Sequence, residues 1–96
     1  MLIARVVGSA VATIKADSLR GVKLLVVRSA TPADELVGEP FVAVDAVGAG
    51  QGELVLVARG SAGRQTGPTQ DAPIDAVIMA ILDSLEVAGD VTFRKS

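Results

Sequence analysis

The stretch FVAVDAVGAGQGELVLVARGSAGR, residues Phe41–Arg64, decides how the rest of the chain is read. It divides into two strand-like runs, Phe41–Val47 and Glu53–Arg59, each followed by a small glycine-rich loop. In the first run Phe41, Ala43, Asp45 and Val47 alternate with Val42, Val44 and Ala46, so both faces are apolar except at Asp45. That pattern implies burial on two sides. The second run is β-branched and apolar with charges only at its ends. Between them, Gly48-Ala49-Gly50-Gln51-Gly52 lacks a side chain at alternate positions, which suits a tight turn or the close approach of another backbone.

Three glycines in five residues invite a phosphate-loop reading, which the context denies. A dinucleotide fingerprint would need a glycine where Glu53 stands and a helix after it, and no Lys-Ser/Thr pair closes a P-loop. Gly60-Ser61-Ala62-Gly63 is no nucleophile elbow, since Arg59 occupies the position of the required first glycine. The carboxylates of Asp45, Glu53, Asp75 and Asp83 can be paired on paper. Acidic residues at strand ends and helix starts, however, ordinarily accept backbone N–H groups, which is the plainer role for Asp45 and Asp75.

Composition narrows the classes further. The 96 residues are 50% hydrophobic but 2% aromatic, with Phe41 and Phe93 as the two aromatic side chains. A single modest core is all that this length supports, so residues 1–96 are expected to form one domain. The Val- and Ala-rich apolar excess is expected to be buried partly between subunits. The chain has no His, Cys, Trp or Tyr, which excludes a Cys/His zinc site, disulfides, a histidine base and a thiol nucleophile. No cofactor or metal is expected. A net charge of −2 and the lack of aromatic platforms argue against nucleic-acid binding. Met1–Ile14 lacks the cationic start of a signal peptide and is interrupted by Arg5, and the Ala76–Leu82 run is too short to span a bilayer. A cytoplasmic protein without membrane segments is expected.

In chain order, Leu2–Lys15 reads as a long strand bent at Gly8, with Ile3, Val7 and Val11 on one face and Val6, Ala10 and Ala12 on the other. Residues Ala16–Gly21 form a turn, with a helical turn near Asp17. Lys23–Ser29 is a second strand. Thr31–Pro40 is an acidic, proline-bearing excursion whose Asp34, Glu35 and Glu39 read as solvated charges rather than a cation site. Ser61–Pro73 is a long loop in which Ser61 caps a helical turn through Gln65. Residues Ile74–Val87 carry both periods and are read as a helical turn opening near Asp75 and passing into a strand near Leu82. Ala88-Gly89-Asp90 then connects to a last strand, Val91–Arg94. The fold class is mainly β: a small closed, OB-like barrel of about five strands with one or two short helices and a C-terminal hairpin.

Several segments resemble one family. VDAVGAG (residues 44–50), GELVLVARGSA (52–62), ARVVGSAVATIK (4–15), LRGVKLLVVR (19–28) and PIDAVIMAILDSLEV (73–87) are similar to the EutN/CcmL family of bacterial microcompartment shell proteins. The resemblance implies the same barrel, cyclic pentamers at the fivefold corners of a polyhedral shell, hexagonal shell proteins as partners, and no catalysis. It also implies that Gly48, Ala49 and Gly50, and Gly60, Ser61 and Arg64, lie near subunit interfaces or the fivefold axis, with Arg64 in an intersubunit hydrogen bond or ion pair. Ordinary turn and cap geometry stands as the other reading of these residues. The chain departs from the family pattern at Gly63, where alanine is usual. An OB-type nucleic-acid or small-ligand binding module is the alternative function.

Overall fold

A computed structural model describes residues 1–13, 21–60 and 75–95, in which the apolar runs become seven strands. These are β1 (Leu2–Ala10), β2 (Lys23–Ser29), β3 (Phe41–Asp45), β4 (Leu54–Arg59), β5 (Ala76–Ile81), β6 (Ser84–Val87) and β7 (Asp90–Arg94). The first five close into a barrel in the order β1-β2-β3-β5-β4, with β4 pairing back to β1. The remaining two form a separate antiparallel hairpin. All barrel pairings are antiparallel except β3 with β5.

Side-chain size explains why so narrow a barrel can close. Its interior is filled by Val6, Leu25, Val27, Val55, Val57 and Ile78, interleaved with Ala4, Ala43 and Ala76. Methyl side chains among the branched ones let a narrow barrel interior be filled by side chains. Leu2, Phe41 and Ile81 pack against this core from its margins.

Glycine at position 8 bends β1 as its sequence suggests. Val6 pairs with Val27 and Gly8 with Val26, so Val7 is the extra residue of a bulge. Val6 is therefore buried at 1% exposure while Val7 stands at 36%. Alternation expected to run unbroken through Val7 and Val11 is reset at this point.

Other expectations need correction. The strand β1 ends at Ala10 rather than Lys15, β3 at Asp45 rather than Val47, and β4 starts at Leu54 rather than Glu53. Burial of β3 on both faces holds at Ala43 and Val44, both fully buried, but not at Val42, which is 45% exposed. No helix occurs among the described residues. The helical turn expected after Asp75 is instead β5, whose backbone pairs with β3 on one side and β4 on the other. Filling the gap between those strands satisfies backbone groups that a helical turn would leave unpaired inside the wall. The helical turns near Asp17 and after Ser61 lie outside the described residues. The C-terminal hairpin stands as expected, with Ala88 and Gly89 both at positive φ in its two-residue turn.

Candidate functional site

The loop between β3 and β4 is organised by one carboxylate. Asp45 ends β3 with its side chain 1% exposed, and its Oδ1 accepts the N–H groups of Val47 and Gly48, both at 3.0 Å. Opposite it in the ladder, Lys23 donates from Nζ to the Ala49 carbonyl at 2.8 Å and lies 3.6 Å from Asp45 Oδ2. On the far side, Glu53 Oε1 accepts the Gly50 N–H at 2.7 Å. Three charged side chains thus fasten the loop through its own backbone, which is how a short glycine-rich segment holds a single shape.

Within that loop the sequence-derived residues separate. Ala49 is fully buried and belongs to the barrel core, so its methyl group plugs the barrel end. Gly48 is exposed with φ +77, a conformation that glycine adopts at no steric cost. Gly50 is half-buried, and a methyl group added there would meet Glu53 Oε1 at 3.5 Å, an ordinary contact.

Gly60 lies elsewhere. The Gly48–Gly50 loop precedes β4 and Gly60 follows it, so the two sit at opposite ends of the barrel wall. Gly60 donates its N–H to the Asp75 carbonyl at 2.9 Å. Beside it, the Arg59 guanidinium stacks 4.5 Å from the Phe41 ring and lies 3.8 Å from Asp75 Oδ2. Ser61, Gly63 and Arg64 lie outside the described residues. Within one protomer the expected residues therefore mark the two ends of one strand rather than a single cluster.

Sequence reasoning missed a second constellation, centred on Arg5. Its guanidinium donates to the Gly52 carbonyl at 2.7 Å, pairs with Asp34 Oδ1, and lies 5.8 Å from the Phe93 ring. Thr92 donates to the Pro32 carbonyl, and Lys95 Nζ lies 3.0 Å from Glu53 Oε2. These contacts pin the hairpin to the β1–β4 seam and to the loop after β2, and leave a cleft of about 310 Å³ lined by Arg5, Glu53, Leu54, Leu82, Phe93 and Lys95. Its charged groups are spent on one another. Lys95 and the Gly50 amide hold the Glu53 carboxyl below its usual range, and Glu53 raises Lys95 in turn. The one local hint was Arg5 itself, an isolated cation in an apolar strand. Its hydrogen-bond partners Asp34 and Gly52 lie 29 and 47 residues away along the chain, and Phe93 lies further still, beyond any local pattern.

Chemically this surface positions backbone; it does not assemble a nucleophile with a base. Among the described residues no group of three acidic or metal-ligating side chains converges, and no helix is long and apolar enough to cross a membrane. Each phenylalanine has an arginine guanidinium over one face of its ring, at 4.5 Å for Phe41 and 5.8 Å for Phe93.

Comparison with known proteins agrees with this architecture. Residues 1–83 match the family described as ethanolamine utilisation protein EutN/carboxysome. The carboxysome shell vertex protein CcmL of Synechococcus elongatus is 43% identical over 95 residues, which is 99% of this chain and 96% of that protein. The solved CcmL structure from Gloeobacter violaceus superposes with a TM-score of 0.91 at 39% identity, covering 99% of this chain and 98% of the other. The pentameric microcompartment shell protein GrpN from Rhodospirillum rubrum superposes with a TM-score of 0.83 at 42% identity, covering 92% and 100%. Barrel topology, length and sequence agree throughout, and the chain belongs to the EutN/CcmL family of microcompartment shell vertex proteins.

Proposed function

We propose that this chain assembles into a homopentamer that fills a fivefold corner of a bacterial microcompartment shell in the cytoplasm and meets hexagonal shell proteins along its rim. A flat sheet of hexagonal tiles cannot close into a polyhedron without pentagonal corners. The role is geometric and structural, with no catalytic step and no cofactor. What carries the reading is the whole-length likeness to shell vertex proteins, one of them a pentamer.

In this reading Gly48 and Gly50 at one end of β4, and Gly60, Ser61 and Arg64 at the other, lie along the contact between neighbouring protomers or around the fivefold axis. Ala49 acts from beneath, holding the first loop against the core. A head-to-tail interface running the length of β4 would meet both loops, which reconciles their separation within one protomer.

Native mass spectrometry tests the ring directly. A dominant species of five times the 9.7 kDa chain is expected. A monomer across a wide concentration range would overturn the reading. Co-expression with hexagonal shell proteins is expected to give closed particles, and omission of this chain to give open sheets or tubes.

A further inference from the structure

Side chains alone attach the β6–β7 hairpin to the barrel. None of residues 84–95 is buried, and β6 and β7 pair only with each other. Among the described backbone–backbone hydrogen bonds, none joins residues 84–95 to a barrel strand. Leu82 donates its N–H to the Leu54 carbonyl before β6 begins, and Lys95 donates its own back to Asp83 at the base of the hairpin. The hairpin is held down by Thr92 on the Pro32 carbonyl, by Lys95 on Glu53, and by the Phe93 ring against the Arg5 guanidinium. A two-stranded hairpin is marginal by itself, and a segment with few buried apolar contacts opens more readily than the core.

The contacts of Lys95 and Phe93 fall on side chains that also hold the loop before β4. Glu53 is engaged at both oxygens: Oε2 lies 3.0 Å from Lys95 Nζ, and Oε1 accepts the Gly50 N–H at 2.7 Å. Arg5 lies over Phe93 and donates to the Gly52 carbonyl at 2.7 Å, while the Gly52 N–H reaches the Val6 carbonyl at 2.8 Å. Glu53 is a flexible side chain, and Lys95 fixes the direction in which Oε1 points. Phe93 likewise holds the guanidinium plane that aims Arg5 at Gly52. With the hairpin lifted, both side chains regain rotamers that do not serve the loop, and the glycines between them have no side chains of their own to hold its shape.

We infer that the β6–β7 hairpin is a strap that opens as one unit from a folded barrel, and that Glu53 and Arg5 make its opening and the release of the Gly50–Gly52 backbone a single event. The linkage lies within one chain. One consequence rests on the ring reading above, which sets Gly48 and Gly50 against a neighbouring protomer: a neighbour that covers the loop also holds the strap shut, and a closed strap presents the loop ready for the neighbour.

Amide hydrogen exchange of the full chain, followed residue by residue by NMR, tests the linkage. Thr92→Val disturbs the strap at the described contact that involves neither Glu53 nor Arg5. The hydrogen-bonded amides of β6 and β7 and those of Gly50 and Gly52 are expected to exchange faster by one common factor, about threefold for the loss of a neutral hydrogen bond. A faster hairpin beside unchanged Gly50 and Gly52 amides would show two separate openings and overturn the linkage. A hairpin that does not respond would overturn the strap. In wild-type protein, low urea is expected to speed the amides of Val27 and Val57 in the barrel steeply, and the strap and loop amides only slightly, because strap opening exposes little surface. Equal urea slopes would mean that the hairpin leaves only when the barrel unfolds, which also overturns the inference. A wild-type protein found as a monomer would sink the ring reading and leave each of these exchange results readable.

Discussion

Lys23 and Asp45 face each other across the β2–β3 ladder, 3.6 Å apart between Nζ and Oδ2, and between them they hold three consecutive residues of the following loop by their backbones. The two partners differ in weight. Lys23 is 55% exposed, so its ion pair contributes little in water. The Asp45 side chain is 1% exposed and supplies the acceptor for two N–H groups. Asp45→Ala is therefore expected to cost about 1–2 kcal/mol, the sum of two ordinary hydrogen bonds whose N–H groups water can reach once the carboxylate is gone. Lys23→Met should cost well under half as much. Urea unfolding of the two variants checks the order, and equal losses would show that the ion pair, not the loop anchor, dominates.

Glu53 and Lys95 set the pH response of the hairpin's attachment. The Glu53 carboxyl is lowered from 4.5 by Lys95 and the Gly50 amide. A depressed carboxyl contributes stability that is fully present above pH 4.5 and fades as the pH falls through its folded value. Lys95 is raised from 10.5 by Glu53, so its contribution is complete below pH 10.5 and is lost as the pH rises through its folded value. Glu53→Gln should flatten the acid limb of a stability–pH curve, and Lys95→Met the alkaline limb. An unchanged acid limb in Glu53→Gln would mean the pair is broken in solution.

The hairpin turn contains a correctable strain. Ala88 sits at φ 53, where a Cβ is crowded, beside Gly89 at φ 87, where none is present. A two-residue turn of this shape favours Asn-Gly. Ala88→Asn is expected to stabilise the protein by up to about 1 kcal/mol, relieving part of the ~1–2 kcal/mol that left-handed backbone costs an ordinary residue. Thermal unfolding reads the change, and a lower midpoint would show that the turn adopts another shape.

Gly50 separates folding from assembly. Its backbone needs no positive φ, and a modest side chain meets only Glu53 Oε1 at contact distance. Gly50→Leu is thus expected to keep the barrel's circular dichroism and thermal transition while shifting native mass from pentamer towards smaller species. Pentamers at wild-type abundance would remove this loop from the interface.

Much of the barrel is legible in local sequence because period-two apolar runs can bury themselves in only one way. Lys23–Ser29 and Arg59 as the end of β4 emerge as read, Gly8 marks the bulge, and Ala88-Gly89 makes the turn. The plain reading of Asp45 as a backbone acceptor also holds. The site was legible only in part. Gly48 and Gly60 are turn glycines by their backbone angles, but nothing local says that they occupy opposite ends of the wall or that Ala49 faces inward.

Residues 76–81 show where local information stops. Ala-Val-Ile-Met-Ala-Ile satisfies a helical stripe and a strand equally, since every position is apolar and neither period is penalised. Its state is settled by β3 and β4, which leave a gap lined with unpaired backbone groups that only a strand can fill. Arg5 is the same lesson at a side chain, its partners Asp34, Gly52 and Phe93 brought within reach only after the barrel has closed. Sequence alone determined which segments are apolar and where the chain must turn, because those depend on neighbouring residues. Tertiary structure alone decided which strand completes the wall and which charges meet, because a hydrogen-bond or ion-pair partner is defined by distance in space and not along the chain.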